Sequence, residues 1–567
     1  MQPSLTAKMA VPNVELFIFE LNEGVSKVKY FKYLTQCLIS PIFMVVSSSV
    51  LSNENTGISQ VEAARFLAQA SFGPSMSAVE HVQTIGYQAW IDEQVNIAPT
   101  FHATLHQEPH RNRNAVRVTA WMRAVLWGQD QLRQRMAYAL SEILVVSQNE
   151  GQLIRHQDSL INYYDQLVSH GLGNYRDLLG VVSRNPIMAE YLSFSGNAKS
   201  EGAEKVDENY ARELLQLFTI GVHKLNLDGT LQKDNLGNLV PNYTQDTIEN
   251  LAKVFTGWCY KDPYQNKYCN LHARNLTDPL VPWEEYHDTS EKILFGNQSI
   301  PAGQTAQEDM DAALDIIFAH PNLAPYISKL LIQRLVTSNP TLSYVARVAA
   351  VFNDNGNGVK GDLTAVAKAI LLDDEARTGH ITTVDFFGKM REPITRMTHF
   401  WRALDVQILA EMLVFYYLQE DIGQAPLTAP SVFNFFPADY APEELSDLDL
   451  IAPETKFNDE SSLTTLMNFF WGHIYEGVYE NTTQESSKRW RLYSQYQPYV
   501  DLLSQVDGTS LIIERINTLF TYGQMSTGLQ QAITELIEDM KVDTNHHKMM
   551  AYVMMLVFMS PEFCVQR

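Results

Sequence analysis

Apolar residues recur at helical spacing along most of this 567-residue chain. The segments 59–72, 75–94 and 115–147 each carry apolar side chains three and four residues apart, which places them on one face of a helix. The same period returns over 309–375 and again beyond residue 458. These patterns predict a mainly α protein, built as one large multi-helix domain with long irregular loops.

The hydrophobic period changes between residues 224 and 243. Here Leu225 and Leu227 alternate with polar residues before an Asp228-Gly229 turn, a pattern typical of a β-hairpin. We therefore expect a short hairpin inserted into the helical domain. The expected organisation is a leader with a signal peptide over 1–52, a main helical domain over 53–475 that holds the hairpin, and a C-terminal helical segment over 476–567 packed on it.

The leader has the order of a secretory signal peptide. Lys27, Lys29 and Lys32 precede an apolar run over residues 34–46, and small serines follow this run. The run is too short to cross a bilayer comfortably. We expect an exported protein, periplasmic or extracellular, whose mature chain begins near residues 48–53 and which has no stable membrane span.

The charge balance excludes some partners. The chain has 65 acidic against 42 basic residues and a formal net charge of −23 at pH 7, with no basic stripe in the sequence. Nucleic acid and anionic membrane surfaces are therefore poor partners for it. A hydrophobic content of 45% allows the chain to bury a large core.

The densest mixture of carboxylates, arginine and aromatic residues lies between Asp207 and Trp258. On a helical wheel over residues 210–221, Glu213 falls at the edge of the apolar face. A carboxylate in that position either pairs with a cation or has a raised pKa. Glu213 is then either a structural acid held by an arginine, with Arg133 and Arg135 as candidates, or an acid/base or ligand-binding group.

Other ionisable residues share this ambiguity. Glu392 precedes the first turn of a helix that begins at Pro393, where it can act as an anion at the helix start or in proton transfer. The candidate catalytic residues are Glu213, Glu208, Tyr210, Arg212, His287, Asp288, Arg391 and Glu392.

Aromatic residues supply the candidate binding residues, which are Trp258, Asn434 and Tyr440. Prolines hold the run 433–436 in an irregular path, with Asn434 inside it and Tyr440 shortly after. Such a loop suits a carbohydrate or peptide groove, and it equally suits a seam between domains.

Cysteine and histidine spacing gives no metal signature. Cys259 and Cys269 bracket a polar loop that a disulfide could close after export; otherwise they are two free thiols. Their ten-residue separation does not fit a zinc site. His102, His106 and His110 recur every four residues, but Pro109 interrupts the helix they would need. We expect no metal and no other cofactor.

Several segments carry a family resemblance. They include Glu208-Asn209-Tyr210-Ala211-Arg212-Glu213-Leu214, Phe255-Thr256-Gly257-Trp258, Leu132-Arg133-Gln134-Arg135, Lys389-Met390-Arg391-Glu392-Pro393, Gly423-Gln424-Ala425-Pro426, Pro430-Ser431-Val432-Phe433-Asn434-Phe435-Phe436 and Ser560-Pro561-Glu562-Phe563. Over roughly residues 60 to 565 the chain is similar to the bacterial domain-of-unknown-function family 1800 (DUF1800). The resemblance implies no particular reaction. It does imply an association with another exported family that looks sulfatase-like.

Two functions are compatible with these observations. The first is a non-catalytic exported scaffold or assembly partner of another exported protein. The alternative is an extracytoplasmic enzyme that acts on polysaccharide or peptide by carboxylate acid/base chemistry. The sequence shows no nucleophile elbow, phosphate loop or His-Glu-x-x-His stretch, which removes support for serine hydrolases, nucleotide-binding enzymes and common zinc proteases.

Overall fold

A computed structural model describes residues 57–105, 113–200, 205–261, 268–269, 275–296, 298–408, 415, 417–457, 460–476, 492–542 and 545–567. The predicted leader over 1–52, His106 and His110 lie outside these residues. The mainly α prediction is confirmed, because helices form most of the described chain and strands occur only as short antiparallel pairs.

Many helices of the first half pack against the helix that follows them in the chain. In chain order they are α1 Gln60–Ala70, α2 Met76–Ile85, α3 Tyr87–Asn96, α4 His102–Leu105, α5 Arg113–Trp127, α6 Gln131–Ser141, α7 Gln157–His170, α8 Tyr175–Ser183, α9 Pro186–Tyr191, α10 Asn209–Gln216 and α11 Gln245–Val254. Side chains accept the first backbone N–H groups of several helices, as Ser59 does for Glu62 at α1.

The second half continues in the same way. Its helices are α12 Ala306–Ala319, α13 Leu323–Leu335, α14 Leu342–Asn353, α15 Leu363–Leu372, α16 Asp374–Thr382, α17 Pro393–Ala403, α18 Leu418–Ile422, α19 Glu443–Ser446, α20 Glu460–Glu476, α21 Gln497–Val500, α22 Gly508–Ile516, α23 Thr527–Met540, α24 His546–Met559 and α25 Pro561–Cys564. Asp362 accepts from the backbone of Ala365 and so caps α15, as an N-cap aspartate should.

The described residues form four two-stranded antiparallel pairs, of which the last two named below join distant parts of the chain. The strands are β1 Trp258–Cys259 with β2 Val281–Pro282, β3 Lys292–Phe295 with β4 Gln298–Ile300, β5 Lys389–Met390 with β8 Val565–Gln566, and β6 Gln407–Ile408 with β7 Leu492–Tyr493. The β5–β8 pair, in which Lys389 faces Gln566, brings the C-terminus back beside the start of α17. Helix α24 is buried along its methionine-rich face, so the C-terminal helices complete the common core.

Two predicted helices end earlier than their hydrophobic period suggests. The segment 75–94 is divided at Gly86, whose φ of +83° breaks the helix between α2 and α3. The helix expected over 210–221 ends at Gln216, and the backbone N–H groups of Phe218 and Gly221 then bond to carbonyls in its last turns. Gly221 ends this turn with a φ of +70°.

The predicted hairpin insertion is present, although its contacts are isolated bridges rather than continuous strands. Leu225 lies opposite Leu231, and Lys233 lies opposite Leu239, so the segment folds back twice. No described helix has both the length and the apolar character needed to cross a membrane.

Candidate functional site

Helix α10 and the residue directly before it carry four of the eight predicted catalytic residues, and two of these four form an ion pair. Arg212 Nη2 lies 2.8 Å from Glu208 Oε2, one helical turn away. Gln245 Nε2 donates to the same carboxylate oxygen over 2.7 Å. The Tyr210 ring is buried, and its hydroxyl lies 2.7 Å from Ser183 Oγ. The polar groups of these three residues thus all have partners within the fold.

Glu213 is a buried acid without a cation in hydrogen-bonding contact. The residue is 7% exposed, and its Oε2 atom has no hydrogen-bond partner. Burial raises the pKa of Glu213, and the charge of Arg212 only partly opposes this effect. Tyr243 lies close by: burial raises its pKa to about 12, and the Glu213 carboxylate adds to the shift.

The arginines expected beside Glu213 lie elsewhere. Arg133 Nη2 donates to the carbonyl of Val95 over 3.1 Å, and Arg135 Nη2 donates to the carbonyl of Arg334 over 2.6 Å. The expectation that Arg133 or Arg135 neutralises Glu213 or Glu208 is therefore wrong. Both arginines instead satisfy carbonyl groups at helix C-termini, which lack partners inside their own helices.

His287 and Asp288 do not act as a pair. His287 Nε2 lies 2.9 Å from Asp309 Oδ2, and Lys292 Nζ lies 2.6 Å from the same oxygen, with all three side chains fully buried. Asp288 turns the other way and accepts from the backbone and hydroxyl of Ser290. Burial opposes its charge, but these hydrogen bonds outweigh burial and lower the pKa of Asp288.

The aromatic candidate Trp258 is fully buried in β1. The next residue, Cys259, forms a disulfide with Cys269. Tyr440 is half-buried, with Lys456 Nζ 5.0 Å from the centre of its ring. Trp258 and Tyr440 therefore lie in separate environments and do not form one aromatic groove.

The densest buried ionisable cluster contains Glu392 together with a residue that the sequence analysis missed, Glu142. Both side chains are nearly inaccessible, and each carboxyl group lies within hydrogen-bonding reach of the other. Tyr138 donates to Glu392 Oε2 over 2.6 Å. Glu142 follows the C-terminus of α6, whereas Glu392 precedes α17, so tertiary packing alone creates the pair.

Two cations and a third acid complete this cluster. Arg334 Nε lies 3.7 Å from Glu142 Oε2, and Lys389 Nζ lies 3.9 Å from Glu392 Oε1. Lys389 is closer to Glu454, at 3.0 Å. Three carboxyl groups therefore surround two cations, and the group becomes neutral when one carboxyl retains its proton.

The protonation of the pair follows from these contacts. Burial and the neighbouring Glu392 raise the pKa of Glu142 to about 8, against the opposing charge of Arg334. Burial also opposes the charge of Glu392, but Lys389 and hydrogen bonds from Glu142 and Tyr138 outweigh it and lower its pKa. Glu142 is thus the protonated partner near neutral pH, and Glu392 is the ionised one.

An irregular segment over residues 423–457, hereafter the cover segment, closes this cluster from one side. Gln424 Nε2 donates to Glu392 Oε2 over 2.6 Å, and Asn434 Nδ2 donates to Glu142 Oε1 over 3.1 Å. The ring of Phe436 packs 4.7 Å from the guanidinium carbon of Arg334. The side chain of Asn434, predicted as a ligand-binding residue, therefore forms a hydrogen bond inside the fold.

Arg391 lies next to the pair in sequence but points away from it. Its Nη1 atom donates to the carbonyl of Phe563, and its Nη2 atom donates to the hydroxyl of Tyr522 over 2.6 Å. Arg396 and Arg402, which lie on α17, likewise donate to backbone carbonyls at or near the ends of other helices. Buried arginines in this fold thus tie helix C-termini together.

The best-formed cavities among the described residues are small. One is lined by residues that include Arg391, Arg396 and Glu454, and the other by residues that include Arg135, Arg391 and His399. Each has a volume of about 10 Å³. That is room for about one water molecule. The described residues also contain no group of three or more histidine, cysteine, aspartate or glutamate side chains arranged to hold a metal ion.

A family model described as a protein of unknown function, DUF1800, matches residues 65–565. This chain belongs to the DUF1800 family. No curated protein and no solved structure matches the chain. Four of the segments that carry the DUF1800 resemblance supply residues to or beside the Glu142–Glu392 cluster: 132–135, 389–393, 423–426 and 430–436.

The predicted catalytic set is therefore divided into separate places. Tyr210, Arg212 and Glu213 lie on α10 and Glu208 directly precedes it. His287 belongs to a buried group with Asp309, and Glu392 belongs to the cluster around Glu142. One sequence signal could have revealed Glu142. It is a lone carboxylate directly before the apolar run Ile143-Leu144-Val145-Val146.

Proposed function

We propose that this DUF1800 protein is an exported scaffold or assembly partner that binds another exported protein of a sulfatase-like family. The observation that carries the proposal is an apolar surface on the hairpin insertion, held in a fixed shape by buried amide side chains. Most of the candidate catalytic groups, by contrast, have their hydrogen bonds within the fold.

The hairpin insertion concentrates exposed apolar side chains. Within residues 222–239, Val222, Leu227, Leu231, Leu236 and Leu239 are all exposed, and Leu236 is 86% exposed. Single exposed apolar residues are ordinary, but four within one short insertion, with Val222 just before it, are typical of a protein interaction surface. The apolar character of these side chains suits a protein partner rather than a small polar ligand.

Two asparagines fix the base of the insertion. Asn242 Nδ2 donates to the carbonyls of Ile220, Gly221 and His223. Asn322 Nδ2 donates to the carbonyls of Ile220 and His223, and its Oδ1 atom accepts from the backbone of Leu225 over 2.7 Å. A surface held in this way loses little conformational entropy when a partner binds.

Export is supported by two independent features. The sequence over 27–49 has the charged, apolar and small-residue order of a signal peptide. The disulfide between Cys259 and Cys269 suits an oxidising compartment. The sulfatase-like identity of the partner rests on the family resemblance, and the acidic chain would bind it through apolar contacts rather than through a basic patch.

The test is complex formation with a sulfatase-like exported protein from the same source, measured by size-exclusion chromatography with light scattering. We expect a complex with the mature chain and at least a tenfold weaker one with Leu231→Asp/Leu236→Asp, because two buried charges would be unpaired. Val506→Asp is the matched control, since Val506 is 88% exposed and lies outside the insertion. Absence of a complex, or equal loss with Val506→Asp, contradicts the proposal.

A second candidate function is an acid/base enzyme, and the observation in its favour is the Glu142–Glu392 pair. One protonated and one ionised carboxyl group in direct contact resemble the arrangement that activates water for peptide hydrolysis. Glycoside hydrolases need the two carboxyl groups about 5 Å apart or more, so the close pair favours a peptide over a polysaccharide substrate. The cover segment would have to open first.

The enzyme alternative is tested with the mature chain and mixed protein and polysaccharide substrates. Hydrolysis that is lost in Glu392→Gln and retained in Glu208→Gln would support it and would replace the scaffold proposal. No hydrolysis at any pH between 4 and 9, together with a stable complex as described above, would leave the scaffold role.

A further inference from the structure

A small cavity lies between the end of α1, helix α6 and the start of α17. Its wall includes Ser71, Arg135, Arg391, Thr395 and His399. The volume of about 10 Å³ accommodates one particle of roughly the size of a water molecule. No carboxylate is among the residues that line this cavity.

The cavity wall carries two buried guanidinium groups. Arg135 is 3% exposed and Arg391 is 5% exposed. Neither has a carboxylate partner among the ion pairs of the described residues. Arg135 donates one hydrogen bond, from Nη2 to the carbonyl of Arg334, while its buried Nη1 atom has no hydrogen-bond partner. A buried cation without a counterion is costly, and an unpaired buried N–H adds to that cost.

The other polar groups at the wall are already occupied. His399 Nε2 lies 2.8 Å from the carbonyl of Leu519 and so donates to it, which leaves Nδ1 to accept from the Tyr522 hydroxyl at 3.1 Å. Tyr522 in turn accepts from Arg391 Nη2. Ser71 Oγ donates to a backbone carbonyl, as does Thr395 Oγ1.

The wall therefore carries two guanidinium charges and no carboxylate. The rings of Phe72 and Tyr138, whose centres lie 5.9 and 5.7 Å from the guanidinium carbon of Arg135, offset only part of the charge of Arg135. Burial, and then the charge of Arg391, lower the pKa of His399 well below its ordinary value, so the imidazole is neutral. The carboxyl group of Glu392, beside Arg391 in sequence, faces Tyr138 and Gln424 in the buried cluster. The remaining vacant donor is Arg135 Nη1, and it belongs to a residue of the cavity wall.

We propose that this cavity binds a single-atom monovalent anion, chloride in the natural setting, between the guanidinium groups of Arg135 and Arg391. The cavity is too small for a tetrahedral oxyanion such as sulfate or phosphate. Chloride would accept from Arg135 Nη1 and neutralise part of the positive charge where α1, α6 and α17 meet. The ion would act as a structural ligand that joins these helices to the C-terminal segment, whose Gln566 also lines the cavity.

The first experiment measures thermal unfolding of the mature chain in sodium gluconate, with chloride or bromide replacing gluconate at constant ionic strength. An anion that binds only the folded state raises the folding equilibrium constant about tenfold at roughly ten times its dissociation constant. We expect a saturable rise in Tm with either halide. Equal Tm in halide and gluconate overturns the proposal.

Two variants separate the site from general destabilisation. Arg135→Gln removes the vacant donor, and we expect it to lose the halide dependence. Arg402→Met is the matched control: Arg402 is on α17 and binds backbone carbonyls, but it is not among the residues that line the cavity. We expect a lower Tm for Arg402→Met with the halide increment intact. The same halide increment in Arg135→Gln as in the wild-type chain overturns the proposal.

Crystals soaked in bromide provide a measurement that does not depend on a variant folding. An anomalous peak between Arg135 and Arg391 at full occupancy supports the proposal. A water molecule in the cavity, with bromide only at the protein surface, overturns it, because water also fits a cavity of this size.

Discussion

Asn434 donates a hydrogen bond of 3.1 Å to Glu142 Oε1 from a left-handed backbone with a φ of +64°. Asparagine tolerates this conformation better than most residues, because its short polar side chain can form local hydrogen bonds. The same contact joins the cover segment to the buried carboxyl pair. The geometry of Asn434 therefore sets both the path of the cover segment and the hydrogen bonding of Glu142.

Substitution of Asn434 separates its two roles. Asn434→Ala loses the hydrogen bond to Glu142 and keeps the backbone strain, so we expect it to lower the free energy of unfolding by about 2–4 kcal/mol. Asn434→Gly loses the hydrogen bond but relaxes the backbone, and we expect it to be more stable than the alanine variant by about 1 kcal/mol. Urea unfolding measures both. An alanine variant more stable than the glycine variant would contradict the prediction.

The raised pKa of Glu142 predicts how stability depends on pH. Because its pKa in the folded chain is about 8 and its ordinary value is 4.5, the folded chain holds a proton that the unfolded chain has released between these values. This contribution is fully present at acid pH and is lost as the pH rises through about 8. Its slope approaches about 1.4 kcal/mol per pH unit.

Urea unfolding at pH 5, 6, 7 and 8 tests this prediction with Glu142→Gln, which keeps a neutral hydrogen-bond donor at the site. We expect the stability of the wild-type chain relative to this variant to fall steadily over that range. Glu80→Gln is the control for replacing a glutamate at an exposed position, and its stability should follow the wild-type curve. Parallel curves for the wild type and Glu142→Gln would show that the buried pair does not retain a proton.

The sequence predicts the helices better than the cluster, and the reason is physical. Helical periodicity is local, so the buried stripe of Leu132, Met136 and Leu140 correctly placed α6. The ends of some helices, however, are set by backbone features that override this pattern, such as the positive φ of Gly86 between α2 and α3. The hydrophobic period of the sequence continues through such a residue even when the backbone conformation there ends the helix.

The candidate site was only partly predictable, because its contacts join distant segments. The place of Glu392 before Pro393 marks it as a candidate, but its partner Glu142 lies at the end of a distant helix and no local spacing connects the two residues. His287 is adjacent to Asp288 in the sequence, whereas the fold pairs its imidazole with Asp309. Sequence proximity misleads for buried ionisable groups, since their partners must come from whichever element packs against them.

Arginines that bind backbone carbonyls should matter more for stability than arginines in exposed ion pairs. Arg402 donates to the carbonyls of Gly73, Val125 and Leu126. Arg402→Met removes all three of these hydrogen bonds, and we expect a loss of about 2–4 kcal/mol in the free energy of unfolding. The comparison variant is Arg347→Met: Arg347 forms a two-pronged ion pair with Asp373 but is half exposed.

For Arg347→Met we expect a loss below about 1 kcal/mol, because solvent screens an exposed pair. Both variants are compared with the wild type by urea unfolding at pH 7. A larger loss for Arg347→Met than for Arg402→Met would contradict the view that buried arginines join helix ends in this fold.

Glu213 lies on α10 and Glu208 directly precedes this helix, yet their substitution should have opposite effects on stability. Glu213 is buried without a hydrogen-bonded cation, and burial raises its pKa, so its charged form is unfavourable in the folded chain. Its contribution to stability is present at acid pH and is lost as the pH rises through the raised value. Glu213→Gln removes the charge, and we therefore expect this variant to be more stable than the wild type at pH 8, with a smaller difference at pH 5.

Glu208→Gln, in contrast, weakens the contacts of Glu208 with Arg212 and Gln245 and should lower stability by about 0.5–1 kcal/mol at pH 8. Thermal unfolding of both variants at pH 5 and pH 8 distinguishes the two environments. If Glu213→Gln were destabilised equally at both pH values, Glu213 would have to accept a hydrogen bond that stabilises its charged form. The buried acid would then be a fixed structural group, and its place in any acid/base mechanism would be lost.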